Sequence, residues 1–324
     1  MQSKERVMCA LAGEQPDRVP FCESSVAANV ARALSGSERD LSEREISDLV
    51  GRDVVVAVLF PPYFADEGVG SDGQPYVTTG WIRTRADLDK MVFPDPHDPT
   101  LYRAAQRVLD EKGDRAAAAA IKLGVAPMLV SMGLDGFAYA LADDPALVHE
   151  VLRRYVDWQI VVTCHLVGMG FDFLWSFDDV AFKSGPFCSP VAFRKFLLPA
   201  FRRSAEAITL PWIFHSDGNI MPLLDDLLTL GMRGLHPIEP GPMNLAEVKE
   251  RYGKRVCIVG NVSVDTLGRG TPAEVRETVR QCMVVGKPGG GYMITSSNSI
   301  PPYARLDNVR AMAQAIQDFG AYAS

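Results

Sequence analysis

Short apolar runs separated by helix-like stretches dominate the pattern of hydrophobic and polar positions. The runs fall at Val19–Cys22, Val54–Phe60, Ile121–Val125, Phe171–Phe177, Trp212–His215, Gly234–Ile238, Val256–Val259 and Tyr292–Thr295. Most are continuous rather than alternating, as expected of strands covered on both faces of a parallel sheet. Between them apolar positions recur at helical spacing, as at Phe193, Phe196, Leu197, Ala200 and Phe201. The helix starts are signposted. Ser189-Pro190 pairs an N-cap with Pro at the first helical position. Thr271-Pro272-Ala273-Glu274 reads as a capping box with Pro inside it. Asp144-Pro145 and Asp98-Pro99 start helices by the same logic, and Asn244 with Glu247 caps a helix ending near Gly253.

Eight strands alternating with helices predict an α/β fold, a (β/α)8 barrel formed as one domain over residues 1–324. An open doubly wound sheet is the runner-up, but no Gly-rich phosphate turn follows the first strand. The stretch after the second run is long. Within it, Gly68–Arg83 places Ser71-Asp72-Gly73 between Val and Tyr/Trp residues, which predicts a hairpin insertion after strand two. Ala116–Ala120 reads as small packing residues rather than a linker.

Composition narrows the partners. Lys and Arg total 33 against 40 Asp and Glu, a net charge of −7 with no basic run. That balance disfavours nucleic acid and an anionic membrane surface. No run of about eighteen apolar residues is present, so no membrane-crossing helix is expected. The six cysteines form no C-x-x-C pair and read as reduced thiols of a cytoplasmic protein. Met1–Arg6 lacks the apolar stretch of a signal peptide.

In a barrel, chemistry sits at the C-terminal strand ends. The residues there are Glu23, Asp178, Asp179, His215, Asp217, Asn219, Glu239, Asn261, Ser296, Ser297 and Asn298, with Asp66 and Glu67 farther out. His215 and Asp217 are two apart at a strand end, so both can reach one point. They read as half of a metal site or as an acid–base pair. The bland alternative makes Asp217 and Asn219 helix caps and His215 a hydrogen-bonded rim residue. Of the adjacent Asp178 and Asp179, one can face the barrel mouth while the other caps a loop. Glu23 and Glu239 can act as ligands, bases or ion-pair partners. His236 reads as structural, His97 as an exposed loop residue, and His149 and His165 as packing or surface. No G-x-S-x-G, H-E-x-x-H or P-loop motif occurs.

Several segments, taken together, resemble the uroporphyrinogen decarboxylase superfamily, which also contains cobalamin-dependent methyltransferases. They are Glu5-Arg6-Val7 through Pro20, Asp178-Asp179, Phe214–Asn219, Pro237–Pro240, Gly260-Asn261-Val262, and Gly290–Tyr292 through Pro302. The resemblance covers nearly the whole chain and itself implies a (β/α)8 barrel. The decarboxylases carry an Arg-rich segment after the first strand. Here that place reads Cys22-Glu23-Ser24-Ser25-Val26-Ala27-Ala28-Asn29, with no Arg before Arg32. The thiol-methylating members bind zinc through His-x-Cys and a distant Cys. His215 matches the His, while Asp217 and Asn298 stand where the cysteines would be.

The resemblance therefore implies a methyltransferase of a corrinoid-dependent demethylation system. It would move a methyl group from a small O-, N- or S-methyl donor to a cobalt corrinoid on a partner protein. His215 and Asp217 would supply a proton or, with Glu239, hold zinc or another divalent metal. Asp178, Asp179 and Glu23 would act on or orient the substrate, with Asn219, Glu239, Asn261, Ser297 and Asn298 lining its site. A metal-free site stays open. So do a decarboxylase of a tetrapyrrole or smaller aromatic acid, with Asp178 or Asp179 as proton donor, and a non-catalytic ligand-binding relative. A homo-oligomer is implied as a common family trait.

Overall fold

A computed structural model describes residues 1–70 and 75–322. In chain order the strands are β1 (Val54–Val58), β2 (Ala65–Val69), β3 (Pro75–Gly80), β4 (Ala116–Ile121), β5 (Phe173–Phe177), β6 (Ala181–Phe182), β7 (Gly185–Pro186), β8 (Trp212–His215), β9 (Gly234–His236), β10 (Cys257–Val259) and β11 (Tyr292–Met293). Seven of them form one parallel sheet, ordered β1-β4-β5-β8-β9-β10-β11. Helices cross between successive strands, which is the α/β arrangement that parallel pairing requires.

The Val19–Cys22 run joins the two edges of this sheet without forming a regular strand. Phe21 bridges Ile294 in parallel. Cys22 N–H donates to Ile294 O at 2.9 Å, and Asp53 N–H donates to Phe21 O at 2.8 Å. The curled sheet is thus closed by one short segment. Below that seam, buried Asp53 accepts from Arg6 Nη1 and Arg18 Nη2 through Oδ1, both at 2.8 Å. Its Oδ2 accepts from Arg18 Nη1 and Phe21 N–H, both at 2.9 Å.

Side chains alternate between two apolar layers along each strand. Val54, Val56, Ala116, Ala118, Ala120, Phe173, Trp175, Ile213 and Cys257 fill the barrel interior. Val7, Ala10 and Leu11 of the first helix, Ser3–Leu11, join the same cluster and plug its floor. Val55, Ala117, Leu174, Phe214 and Leu235 face outward to the helices.

One strand differs in position from the reading of the chain. Ala116–Ala120 is the body of β4 and is wholly buried, whereas Val125 begins the helix Val125–Met132. Alanine is a poor strand former by itself. Here its small side chain shares the barrel interior with Phe173 and Trp175, so volume decides. Between β1 and β4, the strands β2 and β3 pair antiparallel. The turn expected at Ser71–Gly73 lies outside the described residues.

Helix starts follow local capping chemistry. Asp144 accepts from Leu147 N–H, Thr271 from Glu274 N–H, and Asn244 from the Ala246 and Glu247 amides. The helix expected from Ser189 forms, capped on Ala192 N–H, with one irregularity in its course. A π turn at Phe193–Leu197 separates Pro190–Ala192 from Leu198–Ala205, next to Pro199, which has no N–H to donate. Among the described residues no single helix is long and apolar enough to cross a membrane.

Candidate active site

The parallel register of β8 and β9 sets His215 directly beside His236. Their rings lie 4.8 Å apart between centroids, and the two Nδ1 atoms are 2.6 Å apart. Only one proton fits between two such nitrogens. Its owner follows from the network, since hydrogens are assigned from partners. Thr295 Oγ1 donates to Ser296 O at 2.5 Å, so it accepts from His236 Nε2 at 3.1 Å. His236 is fully buried, and burial holds its pKa well below the usual imidazole value, with His215 adding to the effect. A neutral ring protonated on Nε2 has a bare Nδ1. The His215 Nδ1–H must donate to it.

His215 Nε2 then points at two carboxylates. Asp179 Oδ1 lies at 3.6 Å and Asp217 Oδ1 at 3.8 Å. Asp179 Oδ1 accepts from the Asp217 amide at 2.8 Å, which ties the two loops together. Asp217 Oδ2 accepts from Asn298 Nδ2 at 2.6 Å, while its Oδ1 is buried with no hydrogen-bond partner. Burial raises the pKa of Asp217; His215 opposes that rise, and Asp179 and Glu239 add to it. A lone pair facing two carboxylate oxygens is repulsive unless a positive charge lies between them. A proton on Nε2 or a metal ion meets that need.

The residues fit a divalent ion. One donor atom each from Asp179, His215 and Asp217 falls within 4.8 Å of the others. The set is one nitrogen and two carboxylate oxygens, with no thiolate. That suits zinc, which accepts all these donors, and also harder cations. Asn298, which stands where a cysteine would be, binds Asp217 through Nδ2 and accepts from Ser299 through Oδ1. Glu239 is not among the three. Its Oε2 accepts from Gly218 N–H at 2.7 Å, and its Oε1 lies 3.5 Å from Lys183 Nζ. Gly218 has φ +82, and a Cβ there would meet Ala181 O and Phe182 O at 2.6 Å, so only glycine carries the chain past β6.

The other rim residues divide into supports and walls. Asp178 is fully buried; its Oδ2 accepts from Leu123 N–H at 2.6 Å and its Oδ1 from Ala126 N–H at 3.0 Å. It holds the loop after β4, and burial raises its pKa. Glu23 is fully buried as well. It accepts from the Ser24 amide at 3.1 Å and the Ser296 amide at 2.8 Å, and burial pushes its pKa up to about 7. Asn219 Oδ1 caps Met221 N–H. Ser297 Oγ accepts from Val264 N–H. Asn261 Nδ2 donates to Ile238 O at 2.5 Å, bracing a β-branched residue held at φ +57.

Two site residues escape a reading of the chain alone. His236 looks structural until strand register places it against His215. Lys122, one residue past β4, was hidden inside the run Ile121–Val125. It lines a cleft of about 380 Å3 that also borders Asp179, with Tyr63, Leu129, Leu134 and Phe187 among its walls.

Strand-end carboxylates around an imidazole, beside a largely apolar cleft, define a parallel-barrel protein with a site where such barrels carry chemistry. Residues 67–319 match the family "Uroporphyrinogen decarboxylase (URO-D)", and the chain belongs to that family. It is similar to a methylated-thiol–coenzyme M methyltransferase of Methanosarcina mazei, 26% identical over 61% of this chain and 53% of the relative. It is similar also to the methylcobamide:CoM methyltransferase MtaA of Methanosarcina barkeri, 27% identical over 53% of this chain and 49% of the relative. The chain thus spans about half the length of these two methyltransferase relatives. A uroporphyrinogen decarboxylase of Chlorobium phaeovibrioides is 25% identical over 71% of this chain and 68% of its own. A solved methyltransferase from Methanosarcina mazei shares the fold, with a TM-score of 0.78 at 22% identity over 98% of this chain and 99% of its own.

Proposed function

We propose that this protein is the substrate-side methyltransferase of a corrinoid-linked demethylation system. It takes a methyl group from a small O-, N- or S-methyl donor and passes it to a cobalt(I) corrinoid presented by a partner protein. The observation that carries this reading is the His215 Nε2 lone pair, aimed at Asp179 and the unpartnered Asp217 Oδ1 beside an apolar cleft. Relatives named as methyltransferases support it at the level of reaction class.

The chemistry sets the demand. The methyl–heteroatom bond breaks, the cobalt(I) electron pair takes the methyl carbon, and the heteroatom leaves with the bonding pair. A heteroatom of this kind is a poor leaving group unless its new charge is met. Asp179, His215 and Asp217 would hold a divalent ion, which when bound supplies that Lewis acidity. His236 and Thr295 keep the His215 lone pair directed at the site. Without an ion bound, burial keeps the pKa of Asp217 raised, and its unpartnered Oδ1 is placed to meet the departing heteroatom. Asp178 fixes the loop that forms one wall of the cleft.

Decarboxylation of a substrate with many carboxylates is poorly served here. Lys122 is the one basic residue among the cleft's lining residues, and Glu23 is buried where the decarboxylases carry arginines. The test mixes the purified protein with cobalt(I) cobalamin and a panel of methyl donors, and follows methyl–cobalt absorbance. The reading expects formation with at least one donor, lost in His215→Ala. Carbon dioxide release from aromatic acids, with no methyl transfer to cobalt, would overturn it.

A further inference from the structure

Lys122 is 7% exposed, so its ammonium is taken almost wholly out of water. Nζ donates to Phe177 O at 2.6 Å and lies 4.7 Å from the Phe60 ring centroid and 5.9 Å from that of Tyr63. No carboxylate stands within 4.0 Å of it among the described residues. The Lys122 charge acts on buried Asp178, whose two oxygens each also accept an amide, from Leu123 and Ala126, and hold it out of a close ion pair. An ammonium has three donor hydrogens, and a buried charge with no contact ion pair leaves them to be met by other acceptors. One carbonyl and two ring faces meet part of that need. The remaining N–H groups have no protein acceptor among the described residues. The lysine lines the cleft that Asp179 also lines, between apolar walls at Leu129, Val130, Leu134 and Phe187.

We propose that Lys122 is the anchor for an anionic substrate: a small carboxylate with an apolar body. The carboxylate pairs with the Lys122 ammonium and the body lies against the apolar walls. The other end, bearing the methyl group, then faces Asp179 and His215. The orientation of the reacting end rests on the methyl-transfer reading; the binding of an anion at Lys122 does not. A charge-assisted hydrogen bond in a largely apolar cleft favours an anion over its neutral amide by about tenfold or more.

The test is calorimetric binding of 3-methoxybenzoate and of neutral 3-methoxybenzamide to the wild-type protein, Lys122→Met and Lys122→Arg. The wild type is expected to bind the benzoate about tenfold tighter or more. Lys122→Met is expected to bring the two probes within about twofold, and Lys122→Arg to keep most of the preference because the positive charge stays. Equal binding of the two probes by the wild type, binding of neither, or a preference undiminished in a folded Lys122→Met would each overturn the proposal. Thermal melting of each variant establishes that it is folded, and Lys122→Arg tests the charge if Lys122→Met is not. Selective benzoate binding without methyl transfer would keep this anion site and sink the reaction. Methyl transfer without benzoate selectivity would do the reverse.

Discussion

The Nδ1 atoms of His215 and His236 stand 2.6 Å apart on neighbouring parallel strands and share one proton. Thr295 fixes its direction, because its own hydrogen is given to Ser296 O. The result is an imidazole whose free lone pair is held toward Asp179 and Asp217.

Removing that support is expected to weaken cation binding without touching a ligand. In His236→Phe the His215 Nδ1–H loses its acceptor, and the ring is free to take the other tautomer. The affinity for zinc, measured by calorimetry, is expected to fall by about 10- to 100-fold. Nitrogen-15 spectra of the wild-type imidazoles should show the proton on Nδ1 of His215 and on Nε2 of His236. The opposite tautomers would contradict the network.

The barrel seam depends on one carboxylate. Asp53 accepts from two guanidinium groups and the Phe21 amide, joining the Val19–Cys22 segment to β1. In Asp53→Asn the partly exposed Arg18 loses its carboxylate partner, while Arg6 keeps Asp17. Urea unfolding is expected to show a loss of about 1–3 kcal/mol, the range for hydrogen bonds to charged groups. A loss under about 1 kcal/mol, the value of an exposed ion pair, would mean the seam is held by its backbone hydrogen bonds and packing rather than by this carboxylate.

Glu23 makes stability depend on pH. Its folded pKa of about 7 lies above the ordinary 4.5, so the unfolded chain releases this proton first as pH rises. The stabilising share is whole below about pH 4.5 and is lost as pH climbs to about 7, amounting to about 3 kcal/mol. Unfolding free energies of wild type and Glu23→Gln across that window should diverge by this slope. Parallel curves would show that Glu23 is ionised in the folded protein throughout.

Much of the fold was legible along the chain because its causes are local. The caps at Asp144, Thr271 and Asn244 act within three residues, and the continuous apolar runs from Phe171 to Val259 mark strands buried on two faces. β4 was missed because five alanines carry no strand signal; only the volume left beside Phe173 and Trp175 calls for them. At the site, a two-residue spacing was enough to put His215 and Asp217 on one side of a strand end. It could not show that His236 would stand beside His215, since strand register is a tertiary fact. Nor could it tell Asp178, which pins a loop, from Asp179, which faces the imidazole. Lys122 was invisible for the same reason as β4, because the strand end was drawn after it.

Metal content measured by mass spectrometry tests the central claim most directly. The wild-type protein, His215→Ala and Asp217→Ala are each purified without chelator, supplied with zinc, manganese or iron(II), and desalted. The account predicts about one divalent ion per chain in the wild type and a near-complete loss in both variants. A wild type that retains none of these ions, or variants that retain them fully, would contradict it.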